Sequence, residues 1–245
     1  MPEGDSIHRA ALRLRPLVGR RVSATSPNPR GLATGVAAAV DGRVLESVAA
    51  VGKHLLLRFA GGVTVRSHLR TNGRWRVGPA DAERVGRPWL VLRTGELEAT
   101  QWNGPVLTLE QRPLQQLGPD LLAETTEAAA LVPRLRRADP AAPLGVALQD
   151  QRLVAGIGNM WMSEALWAVS VSPQLAVGEA SDEQLLAALR WGQAAMRASV
   201  AGARPPQAVY RRVGRPCRRC RTPIVARGLG DDNRTAYWCP GCQEA

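Results

Sequence analysis

The chain has 245 residues, of which 45% are hydrophobic, and carries 32 lysines and arginines against 21 aspartates and glutamates. A formal net charge of +11 favours nucleic acid as the partner, because phosphate neutralisation dominates such binding, although charge alone leaves a merely basic protein open. Apolar runs such as residues 55–57 are too short to span a bilayer, and Glu3 and Asp5 stand where a secretory peptide needs a basic start. We therefore expect a bacterial, cytoplasmic, nucleoid-associated protein without membrane contact.

The first predicted element is a helix over residues 5–19. Asp5 or Ser6 can cap it, Gly19 ends it, and apolar residues recur at helical spacing, namely Ile7, Ala10, Ala11, Leu14 and Leu17. From about residue 20 to 109, short alternating runs predict strands over 44–51, 54–59, 63–68, 75–77 and 90–93, with Gly61 and Gly62 as a turn. No helical pattern separates these strands, which indicates an antiparallel sandwich or barrel.

The chain turns helical after residue 113. Helices are predicted over 124–137 and 144–151, and a glycine turn at 155–159 opens another that runs to about residue 168. Ser181 and Gln184 form a capping box ahead of a long helix to residue 200, and residues 202–206 form a linker. The predicted fold class is α+β and multidomain, with an N-terminal β domain at 1–112, a helical domain at 113–206 and a C-terminal hairpin at 207–245.

The four cysteines of the chain form two C-x-x-C pairs near its end, namely Cys217 with Cys220 and Cys239 with Cys242. Their spacing is typical of a structural zinc site in which thiolates from two knuckles of a β-hairpin fill all four positions. Two disulfides are the alternative, which a reducing compartment disfavours. The loop between the pairs carries Arg234, so the metal would hold a basic finger in place.

Pro2 and Glu3 are the candidate catalytic pair. Removal of Met1 leaves the secondary amine of Pro2 as the N-terminus, and an α-amino group has a pKa of about 7.7–8.0, so part of it is neutral and nucleophilic. Attack on an aldehyde-level carbon would give an iminium, an electron sink suited to elimination. The Glu3 carboxyl could protonate a departing oxygen. Taken alone, both residues also fit an ordinary helix start.

Several motifs in one order along the chain resemble the formamidopyrimidine-DNA glycosylase and endonuclease VIII family of base-excision repair enzymes. They are Met1-Pro2-Glu3-Gly4, Gly52-Lys53-His54-Leu55-Leu56, His68-Leu69-Arg70, Val154-Ala155-Gly156-Ile157-Gly158-Asn159, and Arg234 followed by Tyr237-Trp238-Cys239-Pro240-Gly241-Cys242-Gln243. The first and last motifs are more similar to the endonuclease VIII branch of actinobacteria. The resemblance covers essentially the whole chain and implies a β-sandwich with flanking helices, a helix–two-turn–helix unit and a zinc β-hairpin.

The resemblance implies a bifunctional DNA glycosylase and abasic-site lyase that excises oxidised bases, chiefly pyrimidines, and cleaves the strand by β,δ-elimination. Pro2 would attack the sugar of an extruded nucleotide, Glu3 would protonate its ring oxygen, and Lys53 would hold a neighbouring phosphate. Further DNA contacts would come from a second set of residues, namely His68, Arg70, Asn159 and Arg234. One structural Zn²⁺ is the expected cofactor, damaged DNA the expected partner, and a monomer the expected state.

The chain departs from the family pattern at two places. Asp5-Ser6 stands where the family usually has Pro-Glu, which leaves open what that carboxylate does in the later eliminations. Thr71 stands where a bulky Met or Leu wedge fills the gap left by the extruded base. Either Leu69 or Trp102 takes over as the wedge, or the enzyme prefers lesions that are already unstacked or single-stranded.

A non-enzymatic zinc-ribbon protein that binds DNA or senses its damage is the main alternative. The presence of both Pro2 and Glu3 favours the enzyme over this alternative. An RNA-binding zinc protein would need aromatic platforms for single strands. One Phe and two Tyr make such platforms scarce, although seven Trp keep that possibility open.

Overall fold

The computed structural model describes residues 2–81, 86–110, 114, 116–205, 207–231 and 233–243. The chain divides into two compact units, Met1–Gln115 and Gln116–Ala245. The predicted domain boundaries at 112/113 and at 206 lie outside the described residues. Within the described ranges, no helix is both long enough and apolar enough to cross a membrane.

The N-terminal unit is a β-sandwich that is preceded in the chain by a helix. Its helices are α1 (Gly4–Leu14), α2 (Pro29–Leu32) and α3 (Val36–Val40), and a 3₁₀ turn (Arg15–Leu17) follows α1. Its strands are β1 (Ser23–Thr25), β2 (Leu45–Val51), β3 (His54–Phe59), β4 (Val63–His68), β5 (Arg74–Pro79), β6 (Leu90–Arg93), β7 (Leu97–Trp102) and β8 (Val106–Leu109). They form two antiparallel four-stranded sheets in the orders β1-β6-β7-β5 and β2-β3-β4-β8. The predicted N-terminal β-sandwich is confirmed.

Helix α1 forms where predicted, because its apolar residues recur on one face. All five predicted stripe residues are buried in the core of the N-terminal unit, which also takes side chains from both sheets. The predicted cap was wrong: the helix begins at Gly4, its N-cap is Glu3, and Asp5 lies inside the first turn, where it pairs with Arg9 at 2.9 Å. The helix tightens to 3₁₀ geometry at Pro16, whose ring nitrogen has no hydrogen to donate to the preceding turn.

The C-terminal unit combines helices with a two-stranded hairpin. It contains a 3₁₀ turn (Ala128–Leu131), α4 (Val132–Leu135), α5 (Leu144–Ala147), α6 (Asn159–Ala168), α7 (Asp182–Val200), β9 (Val225–Leu229) and β10 (Arg234–Trp238). The predicted capping box is present: the Ser181 hydroxyl accepts from the Gln184 amide, and the Gln184 side chain accepts from the Ser181 amide.

Two predicted helices of this unit are shorter than expected. The helix predicted over 124–137 was wrong, since the structure has only the 3₁₀ turn and the four-residue α4 there. Pro133 lacks the amide hydrogen that would bond to Ala129, so an α-helix cannot run through this point without a gap. The helix predicted over 144–151 ends at Ala147, after which Asp150 accepts from the Arg152 amide in a turn.

The hairpin shares the hydrophobic core of the helices. Leu229, Ala236 and Trp238 lie in the same buried cluster as Trp161 and Met162 of α6. A smaller cluster joins Val209 and Ile224 to two of the cysteines. The C-terminal strands are therefore a packed part of the unit and not a finger hanging free from it.

Candidate active site and nucleic-acid interface

The first candidate group is the N-terminal turn. Pro2 is half-buried, and Glu3 is only 1% exposed although it follows directly. The carbonyl of Glu3 accepts from the amides of Ser6 and Ile7, which fixes the start of α1, whereas its side chain makes no capping bond. The side chain of Glu3, which follows Pro2 in the chain, is thus almost fully excluded from solvent.

Lys53 lies in the tightest turn of the sandwich. Val51 pairs with His54, so the hairpin between β2 and β3 has a loop of only Gly52 and Lys53. Gly52 takes a φ of +58°, a conformation that favours glycine and that two-residue hairpins require. The short turn fixes the backbone of Lys53, and its side chain is half-buried.

Two neutral histidines stand next to Lys53 on the adjoining strands. The rings of His54 and His68 meet edge to face with centroids 4.9 Å apart. Burial first, and then the positive charges of Arg66, Arg70 and Lys53, lowers the pKa of His54 to about 4. Burial, then His54 and the same cations, lowers the pKa of His68 to about 4. Both rings are therefore uncharged at neutral pH.

The tautomer of His68 follows from one hydrogen bond. The Arg70 amide donates to Nδ1 of His68 at 3.0 Å, so the single proton of the neutral ring sits on Nε2. His68 can therefore offer an N–H donor to a phosphate without carrying charge. The same bond folds the chain back at Arg70, whose φ of +49° is left-handed.

The β4–β5 turn has no bulky wedge at its tip. Arg70, Thr71 and Asn72 are exposed, whereas Leu69 is 3% exposed and belongs to the sandwich core. Leu69 was therefore the wrong candidate for a substitute wedge. Trp102 is half-buried, and its indole N–H donates to Thr100 at 2.9 Å.

A groove of about 670 Å³ runs beside this turn. Its lining is basic, amide-rich and aromatic, and it consists of Asn28, Pro29, Arg30, Arg70, Thr71, Asn72, Trp89, Asn103 and Pro105. Amides, guanidinium groups and one indole face are the groups that recognise unpaired bases and phosphates. None of the described residues that line this groove is acidic.

Asn159 is the first residue of α6, as predicted. Gly156 has a φ of +101°, and the Gln151 side chain fastens the turn by accepting from the Gly156 amide at 3.0 Å and donating to the carbonyls of Gln149 and Ile157. This leaves Asn159 at a helix N-terminus, where the helix dipole favours an anion.

Arg234 opens strand β10 and faces the same region of the C-terminal unit. A pocket of about 360 Å³ is lined by Arg234, the hairpin residues 229–231 and residues 149–152, which lead into the glycine turn. The Asp150 carboxylate binds the Arg152 guanidinium through both oxygens. The hydrogen bonds from Arg152, with a smaller effect of Arg234, lower the pKa of Asp150. Arg234 itself is exposed.

The four cysteine sulfurs converge at one place. All four Sγ atoms lie within 4.8 Å of one another, with 3.8 Å between Cys217 and Cys242 and 3.4 Å between Cys220 and Cys239. A tetrahedron with metal–sulfur bonds of about 2.3 Å has edges of about 3.8 Å, so these thiols fit a zinc ion. Disulfide sulfurs would lie about 2 Å apart, and the cysteines are free.

Sequence reasoning missed residues that hold the site together. Glu164 is fully buried in α6, and its carboxylate accepts from the amides of Ala208, Val209 and Tyr210 at 2.8 to 3.0 Å. Gln243 joins the second knuckle to the helices, because it accepts from the Cys239 amide and donates to the carbonyl of residue 171. A charged residue in the otherwise apolar middle of α6 was the one available signal.

Comparison with known proteins gives consistent matches over the chain. The family model described as formamidopyrimidine-DNA glycosylase N-terminal domain matches residues 1–104, and the model described as the H2TH domain of the same glycosylase matches residues 117–205. A relative from Streptomyces coelicolor, named probable endonuclease 8 2, is 38% identical over 99% of this chain and 94% of its own length.

Two further matches extend this comparison. A relative from Mycolicibacterium smegmatis, named DNA-(apurinic or apyrimidinic site) lyase Nei2, is 34% identical over the full length of both chains. Among solved structures, Lactococcus lactis Fpg in complex with DNA containing an abasic site has a TM-score of 0.82 at 19% identity and covers both chains fully. At that identity the structural match concerns the fold.

Proposed function

Because this chain belongs to the formamidopyrimidine-DNA glycosylase family, we propose that it is a bifunctional DNA glycosylase and abasic-site lyase. The observation that carries this proposal is the burial of Glu3, a carboxylic residue that directly follows Pro2 in the chain. A nucleophile and a proton donor are thereby fixed at the end of one helix. The active form begins at Pro2, because a retained Met1 would turn the nitrogen into an amide without a free electron pair.

The reaction proceeds through a covalent iminium. The Pro2 nitrogen forms a bond to C1′ of the extruded nucleotide and loses its proton. The base leaves with the electrons of the glycosidic bond and takes up a proton. Glu3 then protonates the ring oxygen as its bond to C1′ breaks, which gives the open-chain iminium. Loss of a C2′ proton expels the 3′ phosphate, a second elimination expels the 5′ phosphate, and water releases the enzyme.

The DNA contacts divide between the units. We propose that Lys53 and the neutral Nε2–H of His68, with Arg70, bind phosphates next to the lesion, and that Asn159 and Arg234 bind the backbone from the C-terminal unit. In this view the C-terminal unit acts as two segments, a helix–two-turn–helix segment at 113–206 and a zinc hairpin at 207–245. The enzyme acts as a monomer.

We propose Zn²⁺ as the metal held by the four thiols. Four thiolates leave no open position for water, so the ion is structural and takes no part in the chemistry. Its contribution is to fix the two knuckles that frame strands β9 and β10 and hence the start of β10 at Arg234.

We propose that the substrates are oxidised pyrimidines in unstacked or single-stranded DNA. The resemblance to the endonuclease VIII branch supports oxidised pyrimidines, and a relative is named probable endonuclease 8 2. The exposed tip of the β4–β5 turn has Thr71 where a wedge would be needed, which supports unstacked lesions. The groove beside it can receive an unpaired base. The test compares one lesion in a single strand, a bubble and a perfect duplex. Equal cleavage in all three would refute the preference, and a panel of lesions defines the base.

Borohydride trapping on abasic-site DNA tests the chemistry itself. Protein verified by mass to begin at Pro2 should give a covalent adduct, Pro2→Gly should give less, and Glu3→Gln should lose base excision while keeping DNA affinity. Glu46→Gln, which changes an exposed carboxyl of the same unit, serves as the control. If the parent protein binds damaged DNA but forms no adduct, the non-enzymatic damage-binding alternative is correct. If Glu3→Gln loses binding as much as activity, the role of Glu3 is wrong.

A further inference from the structure

Arg219 fastens the first zinc knuckle to the end of helix α6. Its guanidinium donates to the carbonyls of Trp167 and Ala168 at 2.7 and 2.8 Å and to the hydroxyl of Ser170 at 2.9 Å. It also lies 3.9 Å from the centre of the Trp167 ring. Although the side chain is exposed, three of its N–H donors bond to protein and are not available to a phosphate.

The chemistry of this contact suits arginine in particular. The last carbonyls of a helix have no partner within the helix and carry the negative end of its dipole, so a cation there is favourable. A planar guanidinium can bond to two carbonyls and stack on an indole at the same time, which an ammonium cannot. Trp167 in turn packs against the cluster that contains Cys217 and Cys239.

Helix α6 is the common support of the two phosphate-binding groups of this unit. Asn159 is its first residue, and its ten residues rise about 15 Å to the end that Arg219 caps. Strand β10, which begins at Arg234, packs on the same helix, and the Tyr237 amide approaches the Ser163 hydroxyl at 3.4 Å. The hairpin therefore meets α6 along β10 and again at the knuckle.

We propose that Arg219 is a positioning residue: by tying the zinc knuckle to the C-terminal end of α6, it holds Arg234 in register with Asn159, so that both contact the backbone of one DNA. This inference rests on the proposed function. It assigns Arg219 a role that acts through Arg234 and not through direct contact with DNA.

A double-mutant cycle tests this coupling. The variants are Arg219→Ala, Arg234→Ala and their combination, and the readouts are zinc per chain and the dependence of DNA affinity on salt. Arg219→Ala should keep one zinc per chain. It should lower the slope of log affinity against log salt concentration (the salt slope) by about one, the value for one lost phosphate contact. In the Arg234→Ala background it should have no further effect, because the contact it supports is already gone. Arg219→Lys should restore only part of the slope.

Arg218→Ala is the matched control, since it removes the same charge from the neighbouring exposed position of the same knuckle. The proposal is overturned if Arg218→Ala lowers the slope as much as Arg219→Ala, if the effects of Arg219→Ala and Arg234→Ala add, or if Arg219→Ala loses its zinc. These binding readouts do not depend on catalysis. A parent protein that fails in borohydride trapping would refute the proposed function, whereas additive slopes would refute only the role of Arg219.

Discussion

Replacing Glu164 by glutamine should destabilise the C-terminal unit strongly, although the change alters neither size nor shape. The fully buried carboxylate accepts three amides, and an amide oxygen can serve at most two of them. The new NH₂ group would then face the third N–H donor. One lost charge-assisted bond costs about 1.5–3 kcal/mol and one unsatisfied buried N–H about 1–3 kcal/mol, so we expect a total of about 3–5 kcal/mol.

Thermal and urea unfolding followed by circular dichroism measure this loss. For a unit of this size we expect the melting temperature of its transition to fall by roughly 10–20 °C. Hydrogen exchange at the amides of residues 208–210 should accelerate more than elsewhere, since these are the donors that lose their acceptor. Glu124→Gln, at an exposed position of the same unit, controls for the loss of one negative charge. Stability of Glu164→Gln within about 0.5 kcal/mol of the parent would refute the reasoning, because surface changes have that size.

Three other predictions follow from the site. The pKa values of His54 and His68 are lowered to about 4, so the unfolded chain binds more protons between pH 6.5 and 4, and stability should fall as the pH drops through that window and stay level above it. A variant with both histidines changed to asparagine should lose this dependence. Arg234→Ala should lower the salt slope of DNA binding by about one, and an unchanged slope would exclude the contact. Chelation of the metal should release one zinc per chain and lower DNA affinity before it melts the β-sandwich, and simultaneous melting would contradict this order.

The strands of the sandwich could be predicted where apolar residues mark a buried face. The runs 54–59 and 63–68 match β3 and β4 because buried residues alternate with less buried ones on both sides of the Gly61-Gly62 turn. Strand β7 was missed because it buries polar residues on both faces, including Glu98, which pairs with Arg93, and the fully buried Gln101. Alternation of hydrophobicity cannot reveal a strand of that kind.

Residues of the candidate site could be predicted from the sequence where their type and spacing are uncommon outside functional sites. Paired C-x-x-C motifs and a lone lysine in a glycine turn stand out in any sequence. Residues whose partners are backbone atoms far away in the sequence do not stand out. Glu164 accepts from the amides of residues 208–210, and Arg219 donates to the carbonyls of residues 167 and 168. Nothing in the sequence marks these partners, because every residue carries the same amide and carbonyl groups.

In this chain the number of positive charges differs from the number of cations that we expect to contact DNA. Lys53 is the one lysine among 32 basic residues, and several arginines are fixed on carbonyls: Arg136 donates to the carbonyls of Val177 and Ala180, and Arg134 to those of Arg152 and Leu153. Such guanidinium groups still add to the long-range field that attracts DNA, but the donors that bond to carbonyls are not available for phosphate. The salt slope of binding should therefore count only the few cations that touch the backbone. A slope approaching the formal charge of +11 would mean that these carbonyl bonds open when DNA binds.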